Sequence, residues 1–371
     1  MARIRVRSDG ELEVVDPRLE DVELLRSIDP GFQVRTAPLP GFTRPRVLSV
    51  NACGSGLSVD QLGTMPTFEL WERHAIGLAA VKSSVSVRTA GVGEAALMGV
   101  KVELASRLLE GCALCGHHCG VNRRAGERGV CRLGVEGVVG ARFIHVGEEA
   151  EINPSSLVLL TGCGLRCRAC QQGHLLDPDR VKGDRLDGGL WRDLAVAGAR
   201  SVSFLGGNPD ESLPAILRCM SAIPGDWTLP VVWNCNGYSS PETLELLDGV
   251  VDVFLPDFKY GDSGCAGRLS GVQHYPATAR LSILAMLHQG VRVIVRVLVL
   301  PGHNRCCHVP VLETLAVMGR RHENLVVSIR DQYAPGHLVT VEDGDLARRP
   351  TPDEVKEVTD HAQALGLRTV G

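Results

Sequence analysis

From residue 154 to the end of the chain, short apolar runs take turns with stretches of helical period. The runs at 157–160, 201–205, 230–234, 250–255, 291–300 and 325–329 are continuous rather than alternating, the pattern of strands buried on both faces. Helix-period stretches stand between them at 191–197, 213–223, 241–247, 277–287 and 309–318. A last one, at 352–365, precedes a short run at 367–370. Six successive βα units predict an α/β fold, a partial parallel (β/α)6 TIM-like barrel of right-handed winding. In such a barrel, chemistry belongs at the C-terminal ends of the strands.

The chain divides into three parts on this reading. Residues 151–371 form the barrel. Residues 96–150 hold a helix, expected over 94–110 and stopped by Gly111, followed by a segment rich in cysteine, glycine and arginine. Residues 1–95 form an N-terminal extension of unassigned role, in which proline-rich stretches alternate with short apolar runs. A glycine-rich turn near Asn51 lacks the spacing of a dinucleotide or phosphate loop. With a net charge of −4, the chain has no strong electrostatic pull toward nucleic acid or an anionic membrane. It has no apolar run long enough to span a bilayer and starts without the apolar core of a signal peptide, so a cytoplasmic protein is expected.

Thirteen cysteines are many for a cytoplasmic chain, where thiols stay reduced. Seven fall between Cys112 and Cys170 in two tight groups, which points to metal or Fe–S ligation rather than disulfides. The later group, Cys163, Cys167 and Cys170, follows the first barrel strand. Three thiolates on one loop can each hold one iron of a [4Fe–4S] cubane and leave the fourth iron open. A reactive centre keeps such an open position, whereas a structural site is closed. The alternative is a zinc knuckle that borrows His174. The earlier group, Cys112, Cys115, Cys119 and Cys131, supplies four thiolates, enough for a closed Zn site or a fully ligated auxiliary Fe–S cluster. His117 and His118 are available as substitute ligands there.

Several motifs then follow in order: residues 94–131, the Cys163, Cys167 and Cys170 loop, FLGGNP at 204–209, VWNCNGY at 232–238, VFLPDFKY at 253–260 and VRVLVLPGH at 295–303. Together, over roughly residues 94–340, they resemble the radical S-adenosylmethionine (SAM) superfamily, and within it the uncharacterised paralogues of the pyruvate formate-lyase activating enzyme. The AmmeMemoRadiSam group, which shares the upstream cysteine knuckle, is a nearby alternative. The resemblance implies that SAM binds the open iron and is cleaved by one electron to a 5′-deoxyadenosyl radical. It assigns the cofactor's methionine end to Gly206, Gly207, Asn208 and Pro209, with Asn208 standing where the family has glutamate. Asn234 and Asn236 would meet its polar groups. Asp257 and Lys259 would engage the ribose and carboxylate or pair with each other. Arg296 fits a carboxylate through its planar fork. Two further departures from the family pattern stand out. Ala169 replaces the usual aromatic residue before the last cysteine, and Ala334 replaces a histidine after Gln332 and Tyr333. His303 is a weaker site candidate, and the vicinal pair Cys306 and Cys307 is a candidate for redox or metal chemistry. Cys53 and Cys265 carry no assigned role, while Cys219 and Cys235 read as core.

The function expected is radical abstraction of hydrogen from a substrate, with a flavodoxin or ferredoxin as electron donor. Kinship with an activating enzyme implies a protein or peptide substrate; a small molecule is the alternative. A non-catalytic Fe–S carrier is the competing class. A cobalamin-dependent methyltransferase is disfavoured, because no cobalamin-binding segment is evident.

Overall fold

The computed structural model describes residues 3–6, 12–15, 17–28, 31–83, 88–194, 198–336 and 338–370. The N-terminal part holds an antiparallel hairpin, β1 (Arg3–Val6) and β2 (Leu12–Val15), and then α1 (Val22–Ile28) and α2 (Val47–Ala52). It continues through β3 (Gly54–Ser58), α3 (Val59–Thr64), α4 (Thr67–Ser83), β4 (Glu94–Ala96) and α5 (Leu97–Arg107). The helix expected over 94–110 therefore starts later, because 94–96 pairs antiparallel with β3.

The remaining elements are β5 (Val138–His145), β6 (Ser155–Leu160), β7 (Asp184–Arg185), α6 (Leu190–Leu194), β8 (Ser201–Gly206), α7 (Leu213–Ser221), β9 (Val231–Cys235) and α8 (Pro241–Leu247). They continue with β10 (Val253–Pro256), α9 (Ser263–Ser270), α10 (Tyr275–His288), β11 (Arg292–Leu298), α11 (Val309–Gly319), β12 (Leu325–Arg330), α12 (Pro352–Ala364) and β13 (Thr369–Val370). Residues 195–197 of the expected helix 191–197 lie outside the described residues. Helix starts follow local chemistry. Ser240 caps α8 by accepting from Thr243 N at 3.1 Å, and Thr351 with Glu354 forms a reciprocal box at the head of α12.

Nine strands form one mixed, mostly parallel sheet in the order β13-β12-β11-β10-β9-β8-β6-β5-β7. The run from β6 to β13 is parallel, and β5 is antiparallel to both of its neighbours. Consecutive parallel strands sit side by side, and among the described residues the ladder ends unclosed at β7 and β13.

The sheet is strongly rolled. Gly147, two residues beyond β5, accepts a hydrogen bond at 2.8 Å from the guanidinium of Arg330, the last residue of β12. Laid flat, six strand spacings would hold β5 and β12 roughly 29 Å apart. Two residues reach about 7 Å, so the two edges must curl toward each other. Ile152 marks the inside of the curl, in an apolar cluster with Val232, Val253, Leu255, Ile294 and Val326 from β9 to β12. The larger apolar core lies where the helices pack. There α5 joins the N-terminal part to the rest through Lys101. This fully buried side chain donates to the carbonyls of Leu246 (3.0 Å) and Asp248 (2.9 Å) at the end of α8.

Candidate functional site

The parallel strands deliver the sequence candidates to one end of the sheet. Cys163, Cys167 and Cys170 lie on the loop that leaves β6. Gly206 closes β8, and Asn234 and Asn236 flank the end of β9. Asp257 and Lys259 follow β10 directly. Arg296 differs, since it lies within β11 rather than beyond it.

Glycine at 206 and 207 is required by close approach. Gly206 has φ +112°, and a Cβ there would run into the backbone of Leu160. A Cβ on Gly207 would run into the backbone of Gly162, so β8 and the cysteine loop touch main chain to main chain. The Gly207 N–H donates to Leu160 O at 2.7 Å.

A chain of hydrogen bonds then fixes the cysteine loop. Gly164 N donates to Glu211 Oε1 at 2.8 Å, and Asn208 Nδ2 donates to Glu211 Oε2 at 2.5 Å. Asn208 Oδ1 accepts from Asn236 N at 2.9 Å, and Asn236 Nδ2 points at Cys163 Sγ from 3.5 Å. Glu211 was not singled out in the sequence. It lies three residues after Asn208, on a 3-10 turn. Burial, and the neighbouring Asp210, push the Glu211 carboxyl up to about 7. Asp210 is itself raised by burial; it accepts from Trp233 Nε1 at 2.7 Å and Ser239 Oγ at 2.6 Å.

Asp257 and Lys259 pair with each other, Nζ to Oδ2 at 2.5 Å. Burial works against the Lys259 charge, but the Asp257 carboxylate holds its pKa above the ordinary value. Tyr275, a second residue the sequence did not flag, donates to Asn236 O or Asp257 O (2.8 and 2.9 Å) and accepts from Lys259 N (3.0 Å). Arg296 has its fork occupied by Glu148 and Glu149. Asn234 Nδ2 is a buried donor with no hydrogen-bond partner. Tyr333 is a core anchor, its hydroxyl donating to Leu346 O at 2.7 Å, while Gln332 O accepts from Gln171 beside the cysteine loop.

The upstream cysteines lie against this site. Cys112, Cys115 and Cys131 are buried and Cys119 is half-buried. Their four sulfurs do not all lie within 4.8 Å of one another. Residues 112–121 fold as a tight turn, with Cys112 N bonded to Val121 O and Gly120 N to Cys112 O. Cys115 makes a strand-like bridge to Ser239, and Gly116 N donates to Tyr238 O at 2.8 Å. The His117 ring contacts Gly164 O at 2.9 Å, and buried Arg123 donates to the Glu211 carbonyl at 2.8 Å. His303, Cys306 and Cys307 lie elsewhere, gathered around Cys265.

The donor set of the Cys163 loop fits an iron–sulfur cluster. Cys163 is buried, while Cys167 and Cys170 are half-buried. Burial raises all three thiols above their ordinary value, and the Lys259 ammonium partly offsets this at Cys167 and Cys170. Thiols so placed stay protonated unless a metal displaces the proton.

No family model matches the sequence. Crystal structures of Streptococcus suis SuiB align with a TM-score of 0.35. With SuiB bound to S-adenosylmethionine, identity is 16% over 56% of this chain and 44% of that one. With SuiB bound to the precursor peptide SuiA, identity is 18% over 56% and 46%. This chain thus spans less than half the length of SuiB. Uncharacterized protein MJ0674 of Methanocaldococcus jannaschii is 31% identical over 320 residues, covering 84% of this chain and 92% of its relative. The chain belongs to the same family as MJ0674.

Proposed function

We propose that this protein is a radical SAM enzyme, built on a partial parallel (β/α)6 barrel over residues 151–371. One observation carries the reading. A three-cysteine loop at the end of the first parallel strand is pressed against the Gly206 and Gly207 backbone and locked through Glu211, Asn208 and Asn236. Cys163, Cys167 and Cys170 would hold a [4Fe–4S] cluster. That cluster, with bound SAM, supplies one-electron cleavage of a C–S bond to a 5′-deoxyadenosyl radical for hydrogen abstraction.

The residues around it have defined tasks on this reading. Gly206, Gly207, Asn208 and Pro209 leave room for the cofactor's methionine end. Asn234 offers its unpartnered donor, Asn236 orients Cys163, and the Asp257 and Lys259 pair faces the cofactor across the strand ends. Arg296 contributes through its charge at the base of the site. Cys112, Cys115, Cys119 and Cys131 form a second centre, Zn or Fe–S, within residues 96–150, and residues 1–95 are an N-terminal extension of unassigned role. Electrons come from a flavodoxin or ferredoxin in the cytoplasm. A protein or peptide substrate is favoured by an open groove of about 840 Å³ whose lining includes Gly116, His117, Tyr238, Gly264 and Gly267.

The test is product analysis after anaerobic reconstitution with iron and sulfide, using SAM and dithionite. 5′-Deoxyadenosine is expected from the unaltered chain and is lost in Cys167→Ala. Full iron loading without cofactor cleavage would favour an electron carrier and overturn the reading.

A further inference from the structure

Cys265, His303, Cys306 and Cys307 bring one donor atom each within 4.8 Å of one another. Among the described residues they are the one group of three or more histidine, cysteine or carboxylate side chains to do so. Cys265 Sγ lies 3.6 Å from Cys306 Sγ and 3.8 Å from His303 Nδ1. Cys306 Sγ lies 3.3 Å from His303 Nδ1 and 3.8 Å from Cys307 Sγ. A tetrahedral zinc ion with its usual bond lengths separates two sulfurs by about 3.8 Å, and a sulfur from a nitrogen by about 3.6 Å. Four of the six donor separations already stand within about 0.3 Å of those edge lengths, and the other two, from Cys307 to Cys265 and to His303, lie within 4.8 Å. A cubane gives each thiolate its own iron and would spread them wider.

The backbone explains the gathering. Cys265 sits in the first turn of α9, which Asp262 caps by accepting from Cys265 N at 2.6 Å. The other three lie in the turn between β11 and α11, where Asn304–His308 form a π-helical turn. Such widened turns recur at functional sites. All four side chains are buried or half-buried, and the three cysteines are free thiols.

We propose that these residues form a closed Cys3His site for one divalent ion of the zinc class. Three thiolates and a neutral imidazole around such an ion leave one net negative charge. Arg268, whose Nη2 lies 3.1 Å from Cys265 Sγ, offsets it. The site clamps α9 to the turn after β11. The far end of α9 supports the Cys163 loop, because Leu269 O accepts from Arg168 N (2.8 Å) and Ser270 O from Arg166 N (3.1 Å). The ion is therefore a brace for that loop rather than a reactive centre. The assignment stands on these four side chains alone and does not depend on the loop's own chemistry.

Metal analysis and cobalt(II) titration of the full-length protein under anaerobic conditions test it. Cys306→Ser and His303→Ala should each bind one equivalent fewer of zinc or cobalt than the unaltered chain. Each should also lose thiolate-to-cobalt absorption. Cys163→Ala should retain that equivalent, which separates this site from the one at β6. If Cys306→Ser does not fold, His303→Ala decides alone. Equal metal content in the folded variants and the unaltered chain would overturn the proposal. So would a Cys265–Cys306 disulfide in protein alkylated without reductant after zinc saturation.

Discussion

A methyl group on Gly207 would have to occupy the space of the Gly162 main chain, and neither strand end has a flexible side chain to yield. Gly207→Ala should therefore cost about 1–3 kcal/mol of stability. It should also lower the iron retained by the Cys163 loop. Gly111→Ala, where an added Cβ meets nothing within 4 Å, should stay within about 0.5 kcal/mol. Denaturant midpoints of the two variants compare them directly, and equal midpoints would remove the close-contact argument. Gly206 and Gly207 were legible through the family resemblance of the motif at 204–209, since on residues alone they read as an ordinary turn. The resemblance did not make Glu211 legible. Whether a carboxylate three residues past Asn208 turns back depends on the 3-10 geometry of 210–212, which no spacing rule reveals. Tyr275 was hidden for a similar reason: it opens a helix far along the chain and reaches the site only through the fold.

At the scale of elements, Asp252 ties three together. It accepts from Arg46 N at the head of α2 (2.9 Å) and from Val231 N at the start of β9 (2.8 Å), one residue before β10. Burial pushes its carboxyl up to about 7. The folded chain thus keeps a proton that the unfolded chain releases near pH 4. This group's stabilising contribution is complete below that pH and is lost as pH rises through about 7. The stability gap between the unaltered chain and Asp252→Asn should shrink between pH 4 and 8, by at most about 4 kcal/mol. Urea unfolding across that range measures it, and a constant gap would refute the shift. The parallel strands were largely readable, since continuous apolar runs mark strands covered on both faces. Helix α9 was not, because Ser263, Gly264, Gly267 and Ser270 read as a loop. Its helix is made by the Asp262 cap and by Gly271 at φ +77°. The strand expected from 250 is shorter because Val250 and Val251 still bond back to Leu247 at the end of α8.

At the scale of the molecule, the rolled sheet is pinned by charge. Glu149 is buried between Arg296 of β11 and Arg330 of β12, and Glu148 between Arg296 and His145. Burial alone would raise both carboxyls, but Arg296 holds them below the usual carboxylate range. Their contribution is present above about pH 4.5 and is lost as pH falls through the depressed values. Arg296→Ala strands two buried carboxylates and should cost about 3–5 kcal/mol. Arg348→Ala, on a partly exposed pair with Glu354, should cost no more than about 1 kcal/mol. Thermal unfolding of both variants tests the difference. If Arg296→Ala unfolds like the unaltered chain, the charge-pinning argument falls. The same long-range ties have a consequence for how the protein is made. Arg46 meets Asp252 206 positions later in the sequence. At about 5–20 residues per second on the ribosome, α2 emerges roughly 10–40 s before its partner exists. Val47, Leu48 and Val50, buried in the finished fold, have α4 and α5 to pack on during that interval, so the N-terminal elements of a newborn chain can gather before the strand they finally tie to has been made.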